Sequence, residues 1–136
     1  PISAMIEKVT KTKDQWREAL SPEEFHVLRE KGTERAFSGR YWDHHATGIY
    51  RCAGCGLELF SSTAKYDSGT GWPSFTAPLS AETVETRSDA SWFMRRTEVR
   101  CARCGGHLGH VFADGPLPGG ERYCLNSAAL EFVPEE

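Results

Sequence analysis

The rhythm of apolar and polar positions changes at Gly32. Before it, residues 12–31 read as two short helices. Thr12 with Gln15 has capping-box spacing, and Ser21-Pro22-Glu23-Glu24 is a stronger helix start. Ser21 can accept from a free N–H, Pro22 loses nothing at the first helical position, and Glu24 can reach back to the cap. Phe25 and Leu28 share a face, and Gly32 is the expected stop.

After Gly32 the pattern is that of strands. Gly48-Ile49-Tyr50-Arg51, Leu57-Glu58-Leu59-Phe60, Thr83-Val84-Glu85-Thr86 and Trp92-Phe93-Met94-Arg95 are short candidates. The last two flank a polar turn at Ser88-Asp89-Ala90-Ser91. His107 to Phe112, Arg122 to Asn126 and Glu131-Phe132-Val133 complete the set, with glycines and prolines mostly between them. The pattern predicts a mainly β protein, an antiparallel β domain with N-terminal helices packed against it. No linker divides it, so residues 5–136 are expected to form one domain. The chain opens on Pro1, Met5 is the candidate native start, and residues 1–4 are left out of the fold reading.

Charge and composition narrow the function classes. Net charge is −3 over 136 residues, which disfavours broad nucleic-acid binding, since that needs a basic face to displace counterions. A local basic patch around Arg95, Arg96, Arg100 and Arg103 remains open. No apolar run approaches the ~18 residues of a membrane span, and the start lacks a signal-peptide layout.

The cysteines are Cys52, Cys55, Cys101, Cys104 and Cys124. An odd count rules out full disulfide pairing within the chain, and two CxxC pairs plus a remainder fit a metal plus a free thiol. With no signal layout, this suggests the cytoplasm. Cys52-Ala53-Gly54-Cys55-Gly56 and Cys101-Ala102-Arg103-Cys104-Gly105 are near copies. Each can turn two sulfurs toward one ion, and the following glycine lets the backbone curl. Four thiolates suit one tetrahedral structural zinc, closing the long loop between the knuckles. Two redox pairs are the alternative, but a redox CxxC opens a helix in a βαβ setting. His107, three residues after Cys104, is a rival ligand.

Cys124 stands between Arg122 and Asn126, two residues away on either side. On a strand these three share a face, so a cation, a thiol and an amide line one surface. The cation favours thiolate and the amide can orient a bound group; the plainer alternative is a small buried hydrophobe. His107 and His110 follow the second knuckle and can pass protons near neutral pH, whereas His26, His44 and His45 read as surface groups. Gly69-Thr70-Gly71-Trp72-Pro73-Ser74-Phe75 reads as a rigid loop carrying two aromatics, either a turn with a core Trp or a pocket wall for an apolar, sulfur-bearing group.

Together these residues resemble the peptide methionine-(R)-sulfoxide reductase B family, from about Trp16 to Val133. The markers are the two knuckles, Gly-Trp-Pro-Ser-Phe at 71–75, Gly-His-Leu-Gly-His-Val-Phe at 106–112 and Arg-Tyr-Cys-Leu-Asn-Ser at 122–127. The resemblance implies two antiparallel β-sheets with N-terminal helices. It implies Cys124 as nucleophile and the other four cysteines as zinc ligands. It implies Trp72 against the substrate methyl group, His107, His110 and Asn126 around the sulfoxide, Arg122 near the nucleophile and Phe112 in the pocket wall. The implied partners are oxidised proteins carrying methionine sulfoxide and a thiol reductant such as thioredoxin, with no nucleic acid and no membrane. The implied reaction leaves Cys124 as a sulfenic acid.

One departure bears on turnover. Many members of that family carry a resolving cysteine where this chain has Thr70, so rescue by an external thiol is expected. Two competing readings remain: a zinc-ribbon binding module, which leaves Cys124 unexplained, and another enzyme on the same fold.

Overall fold

Both helix starts form through their caps. In the computed structural model, which describes residues 6–91 and 94–135, α1 (Lys13–Ala19) opens on Thr12 and α2 (Pro22–Glu30) on Ser21, each with both halves of a capping box. The left-handed residue that ends α2 is Lys31, at φ 57°, one position before the expected Gly32. The helices turn Trp16, Phe25, Val27 and Leu28 inward.

The strands are β1 (Gly48–Cys52), β2 (Glu58–Ser61), β3 (Lys65–Tyr66), β4 (Ser74–Phe75), β5 (Val84–Ser91), β6 (Met94–Cys101), β7 (His107–Phe112), β8 (Arg122–Leu125) and β9 (Leu130–Pro134). They form two antiparallel sheets. One has three strands in the order β2-β1-β9, and the other six in the order β3-β4-β8-β7-β6-β5. Fully buried Tyr50 and Phe60 come from the smaller sheet, and Phe75, Val99 and Leu125 from the larger. Phe60 and Phe75 stack with centroids 4.6 Å apart, and Tyr50 meets Phe75 edge-on at 5.2 Å. Aromatic pairs of this kind add about 0.5–1.5 kcal/mol each beyond area burial, and here they join the sheets.

Two sequence expectations are corrected. The polar run Ser88 to Ser91 is not a turn but the end of β5, paired residue for residue with β6. A run of small polar residues reads the same in a hairpin arm as in a turn, and only the pairing partner separates the two. The expected strand pieces Trp92 and Phe93 lie outside the described residues. The Gly69–Phe75 segment is not all loop, because its end is β4, inserted between β3 and β8. Within the basic run, Arg96 Nη2 lies 3.6 Å from Asp89 and Arg100 Nε 3.0 Å from Glu98, so these two charges face acidic partners.

Register brings chemistry-bearing residues into one row across the large sheet. Tyr66 faces Ser74, Ser74 faces Cys124, Cys124 faces His110, and His110 faces Glu98. Cross-strand partners project to the same side of a sheet, so this row shares one face.

Candidate active site

The knuckles end up at matching places on the two sheets. Cys52 ends β1 and Cys101 ends β6. Gly56 and Gly105 curl back at φ 80° and 73°, and their N–H groups donate to the carbonyls of Cys52 and Cys101. Space around both is open, so it is the positive φ that calls for glycine. Leu28 of α2 packs over Gly106, and Arg29 donates to the Cys104 carbonyl at 3.0 Å. The four sulfurs lie within 4.8 Å of one another, with Cys52–Cys104 at 3.7 Å and Cys55–Cys101 at 3.5 Å. A metal–thiolate bond of ~2.3 Å in a tetrahedron gives sulfur–sulfur edges of ~3.8 Å, so the cage fits one ion. The crowded thiols act on one another: the neighbouring sulfurs push Cys101 far up, Cys104 first among them, and drive Cys104 far down, Cys101 first among them. His107 is not in this cluster.

Cys124 lies on β8, half-buried, in the lining of an open pocket of roughly 100 Å³. Trp72, Phe112, His110 and Asn126 also line this pocket, with Thr33 and Arg96 at its wall. Burial pushes the Cys124 thiol above its ordinary value, while Arg122 and the Thr70 hydroxyl pull it down without prevailing. The resting group is therefore a thiol. Arg122 pulls toward thiolate as the sequence suggests, but burial outweighs one cation whose charge is shared with Asp114. Arg122 Nε is 2.9 Å from Asp114, and its guanidinium lies 4.5 Å from the Phe112 ring centre.

The two histidines reach the Cys124 face by different routes. His110 is in register with Cys124. By simple alternation His107 belongs on the opposite face, but the ladder with β6 runs from Val99↔Gly109 to Arg100↔His107. One extra residue, Leu108, is thus inserted in β7. This bulge rotates His107 onto the His110 side, and the rings sit 5.3 Å apart.

Each histidine has its own carboxylate. His107 Nδ1 is 2.7 Å from Glu98, and His110 Nε2 is 3.0 Å from Asp89. An ionised carboxylate only accepts, so Nδ1 of His107 and Nε2 of His110 carry protons. Burial lowers the His107 value, with Glu98 opposing in part. The neutral ring leaves a buried Nε2 with no partner among the described residues. Glu98 itself is pushed up by burial, but His107, Arg100 and Lys31 outweigh this and hold it below the ordinary carboxylate range.

Residues 33–34 brace the pocket. The Glu34 N–H donates to Asn126 Oδ1 at 2.9 Å, and Trp72 Nε1 donates to the Glu34 carbonyl at 3.0 Å. Asn126 Nδ2 donates to the Leu108 carbonyl at 3.1 Å, which leaves one amide N–H free of that bond. Gly71, at φ 90°, aims Trp72, and an added Cβ would lie 2.8 Å from the Phe37 backbone nitrogen.

All the chemistry-bearing residues marked in the sequence around Cys124 therefore converge on one sheet face, with Arg122 and His107 beside the pocket rather than in its lining. Sequence reasoning missed Glu98, Asp89 and Thr33, and marked Arg96 only as part of a basic patch. Glu98 and Arg100 stand two apart, a period-2 signal that an extended β6 makes visible; nothing local marks Asp89 or Thr33.

Comparison with known proteins agrees with this site. The SelR domain model matches residues 20–134. A "Peptide methionine sulfoxide reductase MsrB" from Thiobacillus denitrificans is 63% identical over 126 residues, covering 93% of this chain and 96% of that protein. Proteins of the same name from Methanosarcina barkeri and Pseudomonas aeruginosa are each 56% identical. They cover 94% and 96% of this chain, and 90% and 99% of their own lengths. A domain match over most of the chain, relatives similar from end to end, and a thiol set among two histidines and a tryptophan together show that the chain belongs to the SelR family of MsrB-type methionine sulfoxide reductases.

Proposed function

We propose that this protein reduces methionine-(R)-sulfoxide in peptides and proteins to methionine, with Cys124 as the nucleophile. The observation that carries the reading is a thiol lining an aromatic-walled pocket, in register with His110. Trp72 and Phe112 receive the methyl and methylene groups, because methyl–sulfur groups pack favourably on aromatic faces and edges. Asn126 uses its remaining amide N–H on the sulfoxide oxygen.

The proton balance follows from the resting thiol. Cys124 gives its proton to His110 and attacks the sulfoxide sulfur. His110, held by Asp89, returns the proton to the oxygen as the S–O bond to methionine breaks. The hydroxyl passes from the substrate sulfur to the Cys124 sulfur as the S–S bond made in the attack breaks, so methionine leaves with its sulfur reduced by two electrons and Cys124 is oxidised to a sulfenic acid. His107, neutral and oriented by Glu98, acts as an acceptor beside the oxygen path. Arg122 steadies negative charge on the Cys124 sulfur as the proton leaves.

The four knuckle cysteines hold a structural zinc, which fits the spacing of their sulfurs. When bound, the metal closes the fold and leaves no open position for chemistry. All five cysteines are free of disulfides, which supports work in a reducing compartment such as the cytoplasm. Cys124 has no second free thiol to pair with, so thioredoxin or a small thiol reduces the sulfenic acid. Residues 5–136 act as one reductase domain. No helix among the described residues is long and apolar enough to cross a membrane.

The test is turnover of separated R and S sulfoxides of a blocked methionine with dithiothreitol. Reduction of R is expected; activity on S alone overturns the assignment.

A further inference from the structure

Cys124 has two flanks of unlike chemistry. Toward β7 lies the pocket with its aromatic walls. Toward β4 and β3 lie polar groups. Ser74 is next in the row and Tyr66 follows it. The Thr70 hydroxyl lies 2.8 Å from Ser68, and Ser68 lies 2.7 Å from Ser74. Arg122 stands two residues before Cys124 on β8, and Arg122 and Thr70 both pull the Cys124 thiol down from where burial puts it. The Tyr66 hydroxyl is buried and has no hydrogen-bond partner among the described residues. Burying a hydroxyl with no partner is unfavourable, so a group that reaches it is favoured. None of Tyr66, Thr70 and Arg122 lines the aromatic pocket.

We propose that Tyr66, Thr70 and Arg122 form an oxygen-holding subsite for the Cys124 sulfenic acid, which leaves the emptied methionine pocket as the entry for the recycling thiol. The proposal rests on the sulfenic acid chemistry given above. Displacement at divalent sulfur runs roughly in line, with the incoming thiol opposite the departing oxygen. An oxygen held on the Tyr66 flank points that line through the pocket. Cys124 S–OH and R–SH give Cys124 S–S–R and water. The S–S bond forms as the S–O bond breaks, the incoming sulfur is oxidised, the Cys124 sulfur is reduced, and the thiol proton leaves on the water. A second thiol then exchanges, releasing R–S–S–R and restoring the Cys124 thiol. Burial raises the Tyr66 phenol above its ordinary value, with Arg122 opposing and Asp114 and Cys124 adding to the rise. The phenol therefore remains a donor at neutral pH.

Tyr66→Phe tests this, because it keeps the ring and removes a hydroxyl on which no other group depends. Methionine formed in one turnover without thiol is measured first. Decay of the sulfenic acid on mixing with dithiothreitol, read with a chromogenic thiol, is measured second. A donor lost from a charged or strongly polar partner is worth roughly tenfold or more in rate, so the second phase should slow by that much and the first far less. Thr70→Val should show the same split. Equal slowing of both phases, or of neither, overturns the subsite. Wild-type protein that forms no methionine overturns the parent reaction and the subsite with it, and this is seen before any thiol is added. Retained metal content and tryptophan fluorescence confirm that the variants fold.

Discussion

Replacing Glu98 by glutamine removes the charge at the centre of the site's support and keeps its shape. The Glu98 side chain is 2% exposed, with His107 at 2.7 Å, Arg100 at 3.0 Å and Lys31 at 3.7 Å. Stranding the partner of a buried ion pair costs about 3–5 kcal/mol. Here the partners are less trapped: the Lys31 side chain is 48% exposed and that of Arg100 25%. Water can solvate most of the first and part of the second, and the amide oxygen can still accept from His107. The expected loss is therefore about 2–3 kcal/mol at pH 7.

The pH dependence has a definite sign. Glu98 is held below its ordinary value in the folded protein, because its ionic and hydrogen-bonding partners outweigh burial. In acid the unfolded chain takes up this proton first. The stability that Glu98 supplies is thus full above its unfolded value of ~4.3 and is lost as pH falls through the folded one. The gap between wild type and Glu98→Gln should be constant near neutrality and close below about pH 4. Urea unfolding followed by tryptophan fluorescence measures it, with metal content checked at each pH because acid also strips thiolate-bound metal. A gap under about 0.5 kcal/mol at pH 7, the range of an ordinary surface change, or a gap that ignores pH, refutes the reasoning.

Cys124→Ser should abolish reduction and keep metal and fold, while Cys101→Ser should lose both. A structural zinc worth about 10–16 kcal/mol outweighs a typical fold stability of about 5–15 kcal/mol. Metal analysis and circular dichroism decide, and the opposite pattern shows the cysteines to be wrongly divided. Thr70→Cys should form a disulfide with Cys124 after one turnover, since Thr70 is linked through Ser68 to Ser74, the cross-strand neighbour of Cys124; an oxidised variant whose peptide map lacks that bond rejects the proximity. Gly71→Ala forces a side chain into φ 90° and against the Phe37 backbone. It should cost about 1–3 kcal/mol and lower kcat/KM through Trp72, and a melting temperature within about 1 °C of wild type contradicts this.

Much of the fold was legible because its signals are local. Both capping boxes span four residues and formed as read. The knuckles carry their own glycines, so four neighbouring sulfurs were readable before any tertiary contact. β3 and β4 were not, because two-residue strands have no period to detect and exist only where neighbours offer edges. The hairpin arm Ser88 to Ser91 was misread for the complementary reason: its polar residues are those of a turn, and only the pairing partner shows that they are a strand.

The sequence by itself determined the inventory of the site. It set a cluster of four cysteines apart from Cys124, put two histidines after the second knuckle, and carried the motif that marks the family. Tertiary structure decided which groups act on which. The β7 bulge, invisible to a period-2 reading, carries His107 to the Cys124 face, and the β6–β7 register supplies Glu98 to it. Burial, a property of the packed sheets, overrides Arg122 and leaves Cys124 a thiol at rest. Residue type and spacing are properties of the chain, but desolvation and cross-strand pairing arise only when distant segments meet.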